Sequence, residues 1–328
     1  MKDSVIVSAA CADLAPGGPL PATRPSADAT FGSFNVNFLD HSDFEAHRTA
    51  ERGRHTRVSF RMGQMIEKLL KEAGLTKEEV SGPRTALISG SKYGCSQVFE
   101  IHRRLRKHGP RGIDAVRFAQ ATHNFPVSTC AIEYGLMGPC LAIVSTETAG
   151  MDALLCAHDW ITDDRCDRAI VVGFEDFSSP TGEHVCAQAK DAPSGQSVSE
   201  AMVMVLLERQ SCAKARGVSS EMPQITGMAT THVNAAATDA ARVRAKLACP
   251  TATHEQISFL TTHRLGLCGE EGNDTDYLGA GGLLEIAHLL KSPNAGQRGQ
   301  QHWQISAMSQ GGNGVTAGIK VTQMEYAL

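Results

Sequence analysis

The chain has 328 residues, a formal net charge of -4 and 42% hydrophobic residues, an ordinary globular composition with enough chain for two domains or one double-sized one. That charge argues against nucleic acid as the main partner, and no apolar run approaches the roughly 20 residues of a membrane span. The 10 cysteines are scattered with no CxxC pair and the 13 histidines form no HExxH, so neither a disulfide framework nor a metal site is expected.

Val5 to Ala9 is a short apolar run suited to a first buried strand. The opening is too short, and too soon followed by Pro and Gly, for a signal peptide, and a cytoplasmic protein is expected. From there to about Asp40 the chain is rich in Gly, Pro, Ala and Ser and reads as a long loop. Glu45 to Gly74 becomes helical, with Met62, Met65, Ile66, Leu69 and Leu70 on one face and Gly74 as the stop. A strand, Thr85 to Ser89, leads into Gly-Ser-Lys-Tyr-Gly. Val98 to Lys107 is helical, and its basic run His102 to His108 either docks an acidic partner or faces solvent. Ala115 to Ala131 is helical in part, and Tyr134 to Pro139 is a turn.

Gly138 to Glu175 is the stretch around which the rest is organised. It reads as a buried strand (Leu141 to Val144), a sharp polar turn centred on Glu147, an apolar-periodic helix to about Trp160, and a second buried strand (Arg168 to Gly173). A residue at such a turn is aimed above the sheet, and the helix N-terminus behind it carries partial positive charge. An enzyme places a nucleophile there; this chain has a glutamate.

Beyond Glu175 a polar loop is expected to about Ser194, followed by a fully buried strand at Ala201 to Leu207, closed by Cys212 to Gly217. Gln224 to Thr230 is extended, Ala235 to Ala248 helical, and Ile257 to Thr261 a strand delivering His263. Leu278 to Leu290 is a helix opened by a glycine-rich turn, and Gln304 to Val321 holds two strands around Gln310 to Gly314. Each half places a strand, a reactive-looking polar residue and a helix, which predicts an α/β protein with buried mixed or parallel strands.

Taken together these segments resemble the β-ketoacyl synthases, of the thiolase fold. Gly138-Pro139, the strand, the short turn and the helix follow in the order of that family's nucleophile motif, and Gly109 to Pro139 is similar to the segment leading into it. Cys212-Ala213-Lys214-Ala215-Arg216-Gly217 after a buried strand, the helix start Leu278 to Leu284 and the glycine-rich run Ser306 to Asn313 match further family phrases. The resemblance covers nearly the whole chain. It implies two similar halves in five layers (α-β-α-β-α), residues 1–210 carrying the nucleophile turn and 211–328 the histidine and glycine-rich loops, with a dimer as the working unit and no cofactor.

The same comparison sets the family's nucleophilic cysteine on Glu147, its first histidine on His263, its second on Asp276 and the nearby lysine on or near Glu271. Its gating phenylalanine falls on Gln196, and the threonines after the first histidine become Arg264-Leu265-Gly266-Leu267. One of four catalytic positions is retained, and the chain is shorter than a usual member after the first strand and between Phe177 and Gly195.

A condensing enzyme needs a thiolate to hold the acyl group as a thioester, and a carboxylate is a poor substitute. Asp276 and Glu271 would add negative charge where the enolate needs neutral donors. Two readings of Glu147 stay open. In one, its carboxylate caps the helix N-terminus and plugs the site, as in the family's chain-length factors, which pair with an active synthase. In the other, Glu147 and His263 form an acid–base pair, oriented by Asp276, that cyclises, dehydrates or hydrolyses an acyl substrate. Gly311, Gly312 and Asn313 form either a backbone oxyanion hole or an ordinary tight turn. Cys140 and Cys268 are not expected to replace the thiol, and His123 and His158 read as structural. The partners implied are an active ketosynthase subunit in a heterodimer, or a second copy in a homodimer, and an acyl carrier protein.

Overall fold

A computed structural model of the chain describes residues 3–15, 35–44, 46, 55–113, 115–188, 197–219, 222–232, 257–261, 275–291, 299–308 and 313–323. The chain begins with β1 (Val5–Leu14), β2 (Asn35–Asn37), α1 (Arg57–Ala73), α2 (Lys77–Val80), β3 (Thr85–Ser91), α3 (Ser96–His108), α4 (Ala115–Gln120), α5 (Phe125–Tyr134) and β4 (Cys140–Val144). It continues with α6 (Ala149–Thr162), β5 (Arg168–Glu175), α7 (Ser179–Gln188), β6 (Ser197–Ser199), β7 (Ala201–Arg209) and α8 (Gln210–Ala215). The second half holds β8 (Gln224–His232), β9 (Ile257–Thr261), β10 (Thr275–Asp276), α9 (Gly281–Lys291), β11 (Gly299–Met308) and β12 (Asn313–Gln323).

The main sheet has the order β4-β3-β5-β7-β1-β8-β12-β11-β9. Its two halves repeat one pairing pattern. In the first, β1 with β7 and β7 with β5 are antiparallel, then β5 with β3 is parallel. In the second, β8 with β12 and β12 with β11 are antiparallel, then β11 with β9 is parallel. The seam is narrow, since β1 meets β8 only through Val5 opposite Ile225 and Ile6 opposite Gln224.

Strands β5 and β7 read as continuous apolar runs because helices cover both of their faces. Along β5, Ala169 and Val171 face one core while Ile170, Val172 and Phe174 face another; along β7, Val203, Val205 and Leu207 alternate in the same way with Met202, Met204 and Leu206. The first core is filled by α6 and α9, which pack against strands of both halves, including Ile305 of β11 and Ala317 of β12. The second is filled by α1 and α5, with Met62, Met65, Ile66, Leu69 and Leu70 forming the buried stripe of α1. The layers among the described residues are therefore helix, sheet, helix, sheet. The helix expected at Ala235 to Ala248 lies outside them.

Local chemistry sets the element ends. Thr56 and Ser59 form a reciprocal capping box at the start of α1, and Gly74 ends it in the left-handed conformation. The reading of a helix from Glu45 falls partly outside the described residues. The loop expected after Glu175 is corrected: α7 occupies Ser179–Gln188. Its start is fixed by Ser178 and Thr181, which bond each other's backbone N–H, and Pro180 sits in the first turn, where its missing donor breaks no helical bond. The sequence reading also contained no counterpart of a second, three-stranded parallel sheet, β10-β6-β2.

Candidate functional site

Strands β3, β4 and β5 are mutually parallel, so the segments leaving their carboxyl ends gather at one edge of the sheet. Ser91, the last residue of β3, pairs with Val144, the last of β4, which brings Lys92 close to the turn before α6. The approach is tightened by Gly90, where a Cβ would lie 2.0 Å from the carbonyl oxygen of Ala149. Only glycine fits there.

The turn itself is tied by its own polar groups. Asp152, in the first turn of α6, accepts from Ser145 Oγ at 3.0 Å and from Thr148 Oγ1 at 2.8 Å, and Thr146 Oγ1 accepts from the Thr148 N–H. Glu147 takes no part in this. Its carboxylate, a helix cap in one of the two readings of the sequence, turns instead to Lys92, whose Nζ donates to Glu147 Oε1 at 2.7 Å. Glu147 is 6% exposed, so this is a buried ion pair. Burial works against the Lys92 ammonium, but the hydrogen bond and charge of Glu147 prevail and raise its pKa. The ammonium also lies 5.2 Å from the ring centroid of Tyr93, whose other neighbours include Phe177 and His184.

Asp276 reaches the same place from β10. Its Oδ1 accepts from the Leu278 N–H at 2.7 Å, while its Oδ2 is buried with no hydrogen-bond partner. Burial, reinforced by the nearby Glu147 charge, pushes its carboxyl up to about 7 against the Leu278 bond and Lys92. Beneath both lies Glu175, the last residue of β5, whose carboxyl is pushed by burial up to about 8 despite donors from Ser91, Lys92, Tyr93 and Gly279.

Of the residues singled out in the sequence, Glu147 and Asp276 are thus brought together. His263, Glu271, Gln196, Gly311 and Gly312 lie outside the described residues, as does Cys268. Asn313 opens β12 opposite His232. His123 accepts from the Cys95 N–H through Nδ1 at 3.3 Å. Lys92, Tyr93 and Glu175 were not anticipated. The signals available were a lysine inside the Gly-Ser-Lys-Tyr-Gly turn and an acid closing an apolar strand.

A second polar cluster lies nearby. Arg57 donates through Nε to Asp176 at 2.6 Å and through one terminal nitrogen to Glu200 at 3.2 Å and to the Phe177 carbonyl at 2.8 Å. His41 Nε2 lies 2.9 Å from Glu200 Oε2. His41, Asp176 and Glu200 hold potential ligand atoms within 4.8 Å of one another, and the cation seated among them is the Arg57 guanidinium. Among the described residues no helix is long and apolar enough to cross a membrane.

The turn before α6 therefore holds a carboxylate paired with a lysine, beside a carboxyl raised by burial to about 7. Residues 37–213 match the family model described as β-ketoacyl synthase, N-terminal domain. No curated protein matches the chain. Among solved structures, the AntDE:AntF complex, a type II polyketide synthase acyl-carrier protein with its ketosynthase bound to the hexaketide, gives a TM-score of 0.75 at 16% identity over 98% of this chain and 100% of that one. The ishigamide ketosynthase/chain length factor gives 0.72 at 17% identity, again over 98% and 100%. A β-ketoacyl synthase from Burkholderia phymatum gives 0.69 at 15% identity with the same coverage. The likenesses show the thiolase-like fold that the repeated strand pattern builds. With more than half of its length matched by the family model, the chain belongs to the β-ketoacyl synthase family.

Proposed function

We propose that this chain is a ketosynthase-like, non-condensing subunit of a type II polyketide or fatty-acid pathway, comparable to a chain-length factor and working in the cytoplasm with an active synthase and an acyl carrier protein. The observation that carries the reading is the ion pair of Glu147 and Lys92 at 2.7 Å. Glu147 occupies the turn position where the family's nucleophilic cysteine falls by sequence, and the lysine fixes its charge there. An ionised carboxylate is a weak nucleophile toward a thioester; Asp276 beside it, expected to add negative charge, instead has its carboxyl pushed up to about 7 by burial.

The surface supports partnership. β4 is an edge strand of apolar residues with Leu141 41% and Val144 42% exposed, and Ile132 and Met137 nearby are 83% and 69% exposed. An open apolar edge of this kind is a template for pairing with another subunit, an active synthase or a second copy. The run His102 to His108 on α3 is wholly exposed, a basic face that suits an acidic carrier protein. The two halves, residues 1–210 and 211–328, meet at the site, one supplying Glu147 and Lys92 and the other Asp276.

Co-expression with candidate cysteine-bearing synthases tests the reading. A stable complex, together with no condensation by this chain alone, is the expected result. Condensation of malonyl and acyl thioesters by the purified chain, or purification solely as a homodimer with synthases present, would overturn it.

One observation favours the alternative of an acyl-processing enzyme with Glu147 and His263 as acid and base. Asp276 Oδ2 is buried and unpartnered, on a carboxyl that holds its proton to about 7. Loss of product formation in Glu147→Gln, with the complex intact, selects this alternative.

A further inference from the structure

Glu175 takes no part in either reading of the site. It is 1% exposed, and its carboxyl group accepts hydrogen bonds from two separate stretches of chain. From the segment after β3, the Lys92 N–H donates to Oε1 at 2.6 Å, while the Tyr93 N–H and Ser91 Oγ donate to Oε2 at 3.3 Å each. From the turn between β10 and α9, the Gly279 N–H donates to Oε1 at 3.1 Å.

These are the two stretches that carry the site. Lys92 reaches Glu147 from the first, and Asp276 leads into the second, where its Oδ1 accepts from Leu278. The two lie directly against each other, since a Cβ on Gly279 would stand 2.7 Å from Glu175 Oε1 and 3.0 Å from the Lys92 nitrogen. Leu278 adopts a φ of 46°, a left-handed conformation costly for leucine. It is held on both sides, by Asp276 at its own N–H and by Glu175 at the next. A buried group with four donors aimed at it cannot be exchanged for an apolar one without orphaning backbone N–H groups.

We infer that Glu175 is a positioning residue: its carboxyl group clamps the Lys92 segment of the first half to the Leu278–Gly279 turn of the second, and so sets Lys92, Glu147 and Asp276 against one another. The inference rests on those three residues being the functional site, and is independent of whether that site condenses.

Amide hydrogen exchange and reductive methylation of lysines, both on the intact chain, test it. In the wild type the Lys92, Tyr93 and Gly279 amides should exchange with protection equal to within about 10-fold, as one opening unit. The Lys92 amine should be methylated at least about 10-fold more slowly than exposed Lys71, because it is paired and buried. In Glu175→Gln an amide N–H₂ replaces one acceptor. The three amides should then lose about 10-fold or more of protection together, with the Lys92-to-Lys71 labelling ratio rising by a similar factor. A variant that is less stable yet keeps the wild-type ratio would mean that Glu175 is merely structural, and overturns the inference. Should the variant not fold, the wild type decides: Gly279 exchanging far faster than Lys92 overturns the clamp, and matched protection supports it. Condensation by the chain alone would remove the proposed function and leave these ratios unchanged.

Discussion

Lys92 Nζ and Glu147 Oε1 stand 2.7 Å apart across 55 residues of sequence, and each is the other's counter-ion in a largely buried place. Removing one charge strands the other. Glu147→Gln should therefore cost about 2–4 kcal/mol, and adding Lys92→Met should recover much of it, because the orphaned ammonium goes with it. Urea unfolding of the wild type, both single variants and the double variant closes the cycle. Additive effects would show that the pair is not coupled.

Stability should fall as pH rises from mildly acidic to mildly alkaline. Asp276 and Glu175 move from ordinary values of 3.8 and 4.5 to about 7 and about 8 in the folded chain. Across that window the folded state keeps protons that the unfolded state has released, so their contribution is full below the ordinary values and is lost as pH passes the folded ones. The urea midpoint between pH 5 and pH 8.5 should decline, and Asp276→Asn or Glu175→Gln should each flatten the slope. An unchanged slope in both variants would count against these protonation states.

The cluster around Arg57 has the opposite sign. Despite burial, the Arg57 guanidinium holds the Asp176 carboxyl below the usual range, so this stability is present above the ordinary carboxyl value and lost as pH falls. Arg57→Met removes the guanidinium paired with buried Asp176 and Glu200 and should cost about 3–5 kcal/mol. Arg57→Lys should restore only part, since an ammonium cannot reproduce the fork that reaches Asp176, Glu200 and the Phe177 carbonyl together. Denaturant titration at pH 7 compares the two.

The open edge of β4 gives a test of partnership that leaves the site alone. Leu141→Lys puts a charge on a residue already 41% exposed, so the melting temperature should move little. Binding to a partner subunit, followed by sedimentation, should weaken by at least about 10-fold. Unchanged binding would place the interface elsewhere.

The strand, turn and helix around Glu147 were legible because their signals are local: apolar runs for β4 and β5, helical periodicity for α6, and a polar break between them, although β4, expected to be buried, is a half-exposed edge strand. The resemblance to the β-ketoacyl synthases then extended that reading to Asp276, which the structure brings close to Glu147. Lys92 was not legible as its partner, because only the pairing of β3 with β4 joins two turns far apart in the chain. Glu175 was equally hidden, its role being written in backbone donors that leave no mark on side-chain pattern. Helix α7 was missed because Ser, Pro, Thr and Gly fill its first turn and mimic a loop. Strands β2, β6 and β10, of two or three residues each, are too short to show any period.

That small sheet also bears on when the site is made. It joins Asn35–Asn37, Ser197–Ser199 and Thr275–Asp276, segments drawn from the beginning, middle and end of the chain. Closing such wide loops costs chain entropy that only a nearly finished structure can offset. Placing Asp276 beside Glu147 therefore depends on contacts that span nearly the whole chain. The lysine–carboxylate pair is drawn from Lys92 and Glu147 alone, whereas the complete charge pattern exists only where the distant ends of the chain have met.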